Sequence, residues 1–455
     1  MAAMESMARN QRVSLLRLNE GQILLIAAVS YLLAATGCSS DSSDGQQNSD
    51  VTAMKGGAGD AAGSGADHTG QAAPGDYSQY HDPGTGPFER GTPEQCKMDP
   101  TQFDDVAIAT YAVFRYGLLC HMKGGDNVGS MFSATKTVGG VTAGRAAYLA
   151  REIPKTGPGT GPILHEDVGT DWIANPSYQA RNPDATISHI MAMVAYASPS
   201  LQDDQLTFVY DVVGSQAINT IMQATTKCAA QVEGVPTDFA AFMQQEVFDK
   251  MGMTGSSYNS MLGISSGWNA NLSDMGKLGV MLVHDGWYGG EHLLSPEWVY
   301  RMSHPAFESA NTSYGQLAWL NHRGNAEGIG GDISMGSNSK LGDPCAPGAF
   351  WPSYPHTLSK ATSCLAEVGT CDQTYDVGVF SAQGLLGQFI VMHPGLDLVL
   401  VTQNFSGGGG PEGVWAAVRP GLVAMDPVYQ GDEAAFCEDY GNGDYAPDLL
   451  VPRHP

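Results

Sequence analysis

The chain has 455 residues and carries 22 Lys and Arg against 47 Asp and Glu, a formal charge of −25 at pH 7. A chain this acidic, with no Lys/Arg cluster along it, disfavours binding to a phosphate backbone, so nucleic acid is not expected as a partner. The length exceeds one average domain, but single α/β domains also run beyond about 250 residues, and composition leaves the domain count open.

In chain order, Arg9, Arg12 and Arg17 precede an apolar run over residues 23–35. That run is short for a bilayer span and ends in small residues before Cys38, which is the layout of a secretory signal. Ala35-Thr36-Gly37-Cys38 resembles the lipobox of bacterial lipoproteins, with Ala where Leu is commonest. The resemblance implies removal of residues 1–37, lipidation of Cys38, and a membrane partner reached through the N-terminal lipid. Cleavage by ordinary signal peptidase and an uncleaved anchor are the alternatives. All of them export the rest, and the expected location is the cell envelope of a bacterium, at the outer membrane or the periplasmic face. Residues 38–92 are Gly, Ser, Asp, Ala and Gln with hardly a large apolar group, so they read as a flexible tether.

The globular part is expected over residues 93–455. Apolar residues 106–114 and 118–120 flank Arg115, Tyr116 and Gly117, a pattern for two strands around a turn. Between residue 133 and about 305 the spacing is mostly helical, notably over 187–194, 217–222, 239–251 and 275–283, so residues 145–305 read as a helical insertion. Strand patterns return at 388–392 and 396–401, and a last helix is expected near Pro411. The fold class that follows is α/β: an antiparallel sheet built from N- and C-terminal segments, flanked by helices, with an inserted mostly helical subdomain.

With Cys38 set aside, seven cysteines remain for an oxidising compartment, so at least one stays free or pairs outside the chain. Cys120, in an apolar run, is the expected buried thiol. Cys364 and Cys371 flank a six-residue loop and suit a local bridge, and Cys96 with Cys437 would tie the ends of the domain together. Neither a Cys-x-x-Cys nor a His-Glu-x-x-His pattern occurs, so no metal or other cofactor is called for.

Ser133 and Lys136 carry the chemistry. Residues three apart share a helix face, which lets a lysine amine sit beside a serine hydroxyl. If burial lowers its pKa from about 10.4, the neutral amine can take the hydroxyl proton, giving nucleophilic catalysis without histidine. The alternative for Ser133 is a simple helix N-cap. A second copy, Ser337 with Lys340, lies in a Gly-flanked polar stretch that offers no helix. Gly263-Ile264-Ser265-Ser266-Gly267 matches the nucleophile elbow of α/β-hydrolases but lacks a preceding strand. Gly408 to Gly413 fits a dinucleotide fingerprint with too little chain left for that fold. His165 and Glu166 lack a second histidine for zinc and read as a charged surface turn.

From about residue 105 to 425, the order of elements and several short runs resemble the serine β-lactamase and penicillin-binding protein superfamily. The runs are Leu272-Ser273-Asp274-Met275-Gly276-Lys277-Leu278-Gly279, His284-Asp285-Gly286-Trp287, Leu293-Leu294-Ser295-Pro296-Glu297-Trp298, and Val247 to Thr254. The likeness is closest to the branch holding class C-type β-lactamases, D-Ala carboxypeptidases, esterases and 6-aminohexanoate-oligomer hydrolases. It implies that Tyr210, in Tyr210-Asp211-Val212, stands for the Tyr of a Tyr-x-Asn motif and works beside Lys136. Ala382-Gln383-Gly384 stands for the third motif, with Gln388 following, and the backbone N–H groups of Ser133 and Leu385 are the implied oxyanion donors. Gly384, Leu385 and Gln388 are thus the implied oxyanion and substrate-binding residues.

Two departures bear on substrate. Ala382 cannot offer the cation that meets a β-lactam or peptide carboxylate, a bond worth roughly 1.5 to 3 kcal/mol. Val212 cannot make the amide contact of Asn. The expectation is a serine hydrolase acting through an acyl-enzyme on a small-molecule ester or amide. Its alternatives are a D,D-carboxypeptidase or β-lactamase acting on cell-wall peptides or β-lactams, and a catalytically inactive envelope binding protein.

Overall fold

A computed structural model describes residues 80–423, apart from 104–105, 175, 177–178, 180, 211–217, 305, 308–309, 312–313, 321–355, 358–373, 376–379 and 407–409. The signal segment, Cys38, most of the tether, Val212, the Ser337/Lys340 pair and Cys345, Cys364, Cys371 and Cys437 lie outside the described residues.

Strands β1 (Tyr111–Arg115) and β2 (Leu118–Lys123) form the expected hairpin, with Arg115 inside β1. Its turn residues Tyr116 and Gly117 have φ of 53° and 75°, the two positive values that let a two-residue turn follow the twist of paired strands. Short strands β3 (Gly129–Ser130), β4 (Ser257–Tyr258) and β5 (Trp268–Ala270) form a small sheet in the order β3-β5-β4. Strands β6 (Trp287–Tyr288) and β7 (Glu291–His292) pair with each other, as do β9 (His356–Thr357) and β10 (Thr374–Tyr375). The main sheet is completed by β8 (Trp319–Leu320), β11 (Phe380–Gly384), β12 (Gln388–His393) and β13 (Leu398–Thr402). Its order is β2-β1-β13-β12-β11-β8, antiparallel throughout, so the first and last parts of the chain share one sheet.

The helices used below are α1 (Thr135–Leu149), α2 (Ile187–Met191), α3 (Ile221–Ala229), α4 (Phe239–Met243), α5 (Gly263–Ser266), α6 (Leu272–Val283), α7 (Pro296–Ser303) and α8 (Gly410–Val418). Asn271 caps α6 through Asp274 N, and Ser295 caps α7 ahead of Pro296, both favoured starts. Alternation along the strands sends Phe114, Ile390, Met392, Val399 and Val401 to one side, in one core with α1 and α6. Val113, Phe389, Val391, Leu398 and Leu400 face the other side, with Val414, Trp415 and Val418 of α8. With both faces covered, the strands read as continuous apolar runs, which is why 396–401 stood out in the sequence. This is the helix-flanked, antiparallel α/β arrangement that the resemblance implies.

Two expectations are corrected. Residues 80–92, expected within the tether, pack on the domain: Gly91 N donates to Leu119 O, and Asp82 accepts from the backbone of Gly289 and Gly290. Phe88 supplies a buried ring that packs at a tilt against Phe114, an apolar anchor in an otherwise polar stretch.

The second correction concerns cysteine pairing. Cys96 is bonded to Cys120, and the free buried thiol among the described residues is Cys228. Residues 89–91 run beside β2, and the short helix Pro93–Cys96 then returns its last residue to that strand, so Cys120 is the reachable partner. The bridge spans 24 residues, and closing such a loop in the unfolded chain is worth about 3 kcal/mol. A Cys96→Ser, Cys120→Ser double variant is expected to lose about that much stability in thermal unfolding under oxidising conditions. Equal melting of the two proteins would remove the bridge from the account.

Candidate active site

Ser133 sits in a 3-10 turn, Phe132–Ala134, that runs directly into α1. The turn is pinned from both sides by β5: Met131 N donates to Trp268 O, and Trp268 N donates to the Thr135 hydroxyl at 3.0 Å. Phe132, just before the serine, has φ of 46°, a left-handed conformation that a phenylalanine adopts only when its surroundings force it. Strain of this type, about 1 to 3 kcal/mol, collects at functional turns and here aims Ser133 out of the helix start.

Helix α1 is buried around nearly its whole circumference, Lys136 included, which is 3% exposed. Three residues of helix bring Lys136 Nζ to 3.0 Å from Ser133 Oγ, and the same nitrogen donates to Ser265 O at 2.9 Å. Burial alone lowers the amine's pKa to about 7. The Tyr210 ring, its centroid 4.9 Å from Nζ, favours the ammonium by an amount on the order of 2 kcal/mol. The fall from 10.5 to about 7 corresponds to roughly 5 kcal/mol, so desolvation wins. A lysine that is half neutral near pH 7 can accept the serine proton.

Tyr210 is 9% exposed, and burial pushes its phenol up to about 12 against the lowering effect of the neighbouring Ser133 and Trp319. At neutral pH the phenol is therefore a proton donor or relay and a poor base. Lys136 is the better proton acceptor. Phe208, Tyr314 and Trp319 pack around the Tyr210 ring with centroids 6.3, 6.1 and 5.0 Å away, which fixes its position in a nearly dry environment.

The third segment is the β11–β12 hairpin. Gly384 pairs with Gln388, closing a loop of Leu385, Leu386 and Gly387. A Cβ on Gly384 would stand 2.1 Å from Met131 O, so only glycine lets the hairpin lie against the nucleophile turn. This contact carries Leu385 to the neighbourhood of Ser133, where backbone N–H groups suit an oxyanion. Ala382 lies on the same strand, fully buried, and brings no charge. Gln388 is buried too, but its Nε2 donates to Asn404 Oδ1 at 3.1 Å, which holds the end of the hairpin.

The structure thus brings Ser133 and Lys136 into hydrogen-bond contact, sets the Tyr210 ring over the lysine amine, and brings the Gly384 hairpin beside them. Sequence reasoning missed the carbonyl of Ser265. The Gly263–Ser266 stretch is a helical turn, the short β4 before it ends at Tyr258 and does not run into it, and the Ser265 hydroxyl donates to Leu262 O at 2.7 Å. The motif is a wall of the site, positioned by Asn219 Oδ1, which accepts from Ser265 N at 3.1 Å. A backbone carbonyl leaves no mark in a sequence; the aromatic cluster around Tyr210 is scattered over residues 208–319 and leaves only a weak one. His165 also departs from expectation: Glu166 is exposed, but His165 is buried against Trp298, ring centroids 4.2 Å apart, and burial lowers its pKa to about 3. Trp298 lies on the well-capped α7, so the histidine belongs to the core.

No family model matches the chain, and no curated protein does. Solved structures that it resembles include a candidate 6-aminohexanoate-dimer hydrolase from Bacillus anthracis, at 13% identity and a TM-score of 0.44, over 76% of this chain and 88% of that one. An octameric penicillin-binding protein homologue from Pyrococcus abyssi matches at 12% identity and 0.42, over 73% and 77%. A family VIII carboxylesterase matches at 11% identity and 0.39, over 70% and 94%. These likenesses are distant.

Proposed function

We propose that the protein is a serine hydrolase that acts through an acyl-enzyme on an uncharged ester or simple amide. The observation that carries this reading is the buried amine of Lys136, poised near pKa 7 at 3.0 Å from Ser133 Oγ. Ser133 O–H passes its proton to neutral Nζ as Oγ bonds to the carbonyl carbon, and the resulting oxyanion is met by the backbone N–H groups of Ser133 and Leu385. The tetrahedral species collapses, and the leaving oxygen or nitrogen takes the proton back, from Nζ directly or through the Tyr210 hydroxyl. Water then attacks the acyl group, gives its proton to the same pair, and the second collapse frees the carboxylic acid and Ser133.

Ala382 favours neutral substrates, because a carboxylate at that position would find no cation to pair with. Turnover of p-nitrophenyl butyrate, a p-nitroanilide, a chromogenic cephalosporin and a D-Ala-D-Ala peptide, measured side by side, tests the reading. The ester or anilide is expected to be the best substrate. Faster turnover of the cephalosporin or the peptide would move the assignment to a β-lactamase or D,D-carboxypeptidase. The same proposal places the enzyme on the bacterial envelope through a lipid on Cys38. Growth with a radioactive fatty acid tests this, and unlabelled protein with Cys38 intact would count against it.

A further inference from the structure

Among the described residues, six large apolar side chains are exposed: Val128, Met261, Leu262, Tyr300, Leu386 and Val423. Single exposed apolar residues need no explanation. Four of these six, however, stand on segments that build the candidate site. Met261 and Leu262 precede the turn that offers Ser265 O to Lys136, and Leu386 follows Leu385 in the β11–β12 loop. Val128 precedes β3, the strand that leads into Met131 and the nucleophile turn.

Two of the segments present these side chains in a built way. Asn259 Oδ1 accepts from Met261 N, and Asn259 O accepts from Leu262 N, each at 3.1 Å, so a closed turn holds Met261 out at 88% exposure. Leu386 is 48% exposed with φ of 64°, a conformation that glycine or asparagine adopts at less cost than leucine. Its loop is anchored, because Gly387 O accepts from Phe405 N and from the Thr402 hydroxyl. A strained leucine on a fixed loop beside an oxyanion position, with half its surface left open, is only partly used by the fold's own packing. Its return lies in what it meets from outside.

We propose that Met261, Leu262 and Leu386 are specificity determinants that bind an uncharged hydrocarbon chain of the substrate. This rests on the hydrolase reading and narrows it to lipophilic esters. The local chemistry agrees: Lys136 is neutral when it acts, Ala382 supplies no cation, and a chain of charge −25 repels anionic substrates. The hydrocarbon can sit on the acyl or on the alcohol side of the ester, and the test separates the two.

One arm compares kcat/KM for p-nitrophenyl octanoate and acetate. The other compares octyl and ethyl acetate by pH-stat titration, all below micelle-forming concentrations. Wild-type protein is expected to favour the longer chain in one arm, which identifies the side. In that arm Leu386→Asn, which suits the left-handed backbone, and Met261→Ser are each expected to lower the long-to-short ratio by about tenfold. Val423→Ser, on an exposed apolar residue elsewhere, controls for general surface effects and should keep the wild-type ratio. Ratios in Leu386→Asn and Met261→Ser equal to wild type in both arms would overturn the inference while leaving the hydrolase reading intact. Absence of turnover for every ester by folded wild-type protein that cleaves the p-nitroanilide would overturn the inference alone, and absence of turnover for the esters and the anilide together would overturn both.

Discussion

Ser133→Ala is expected to lower kcat/KM for a p-nitrophenyl ester by at least about 10⁴-fold, because loss of a nucleophile removes the acyl-enzyme route altogether. The residual rate is then what positioning and the oxyanion donors give to direct attack by water. The substitution removes one oxygen from a partly exposed position, so its thermal unfolding should stay close to wild type. A folded variant that keeps more than about a tenth of the activity would take the nucleophile role from Ser133. Ser265 is then the residue to examine, although its hydroxyl is already committed to Leu262 O.

Lys136→Met is expected to cost about 10³- to 10⁴-fold in kcat/KM, the upper range for loss of a general acid–base group. It should not cost stability, since methionine replaces a buried amine with an apolar chain of similar length. A melting temperature at or above wild type, together with lost activity, separates the catalytic role from a structural one. The pH profile of the wild type adds the sign. The active amine is the neutral form, so kcat/KM should rise as pH increases through about 7 and level off above it. Tyr210, held near 12, stays protonated over that whole range. Activity that keeps rising tenfold per pH unit from 8 to 10 would instead assign the base to the tyrosine, whose ionised fraction grows that way.

Much of this was legible in the sequence for identifiable reasons. The Ser133/Lys136 pair showed because a three-residue helical step is a local geometry that spacing alone specifies. Strands β12 and β13 showed because both faces of the sheet are buried and their residues are almost all apolar. The Cys96–Cys120 bridge did not show. It depends on residues 89–91 running beside β2, an edge arrangement that neither cysteine's neighbours announce. The packing of residues 80–92 onto the domain escaped for a similar reason, since Tyr80 and the buried Phe88 are the apolar anchors of an otherwise polar, largely exposed stretch. The left-handed conformations of Phe132 and Leu386 run against local preference and are imposed by tertiary contacts. Both flank the reacting centre, where local and global demands are most often in conflict.

The most direct test of the central claim is covalent. A fluorophosphonate esterifies an activated serine, with fluoride leaving and the serine proton passing to the base. Peptide mapping of wild-type protein treated near pH 8 is expected to place the label on Ser133, and Lys136→Met should remain unlabelled over the same time. A label on Ser265 or another serine, or folded wild-type protein that takes up none, would contradict the assignment of Ser133 and Lys136 as nucleophile and base.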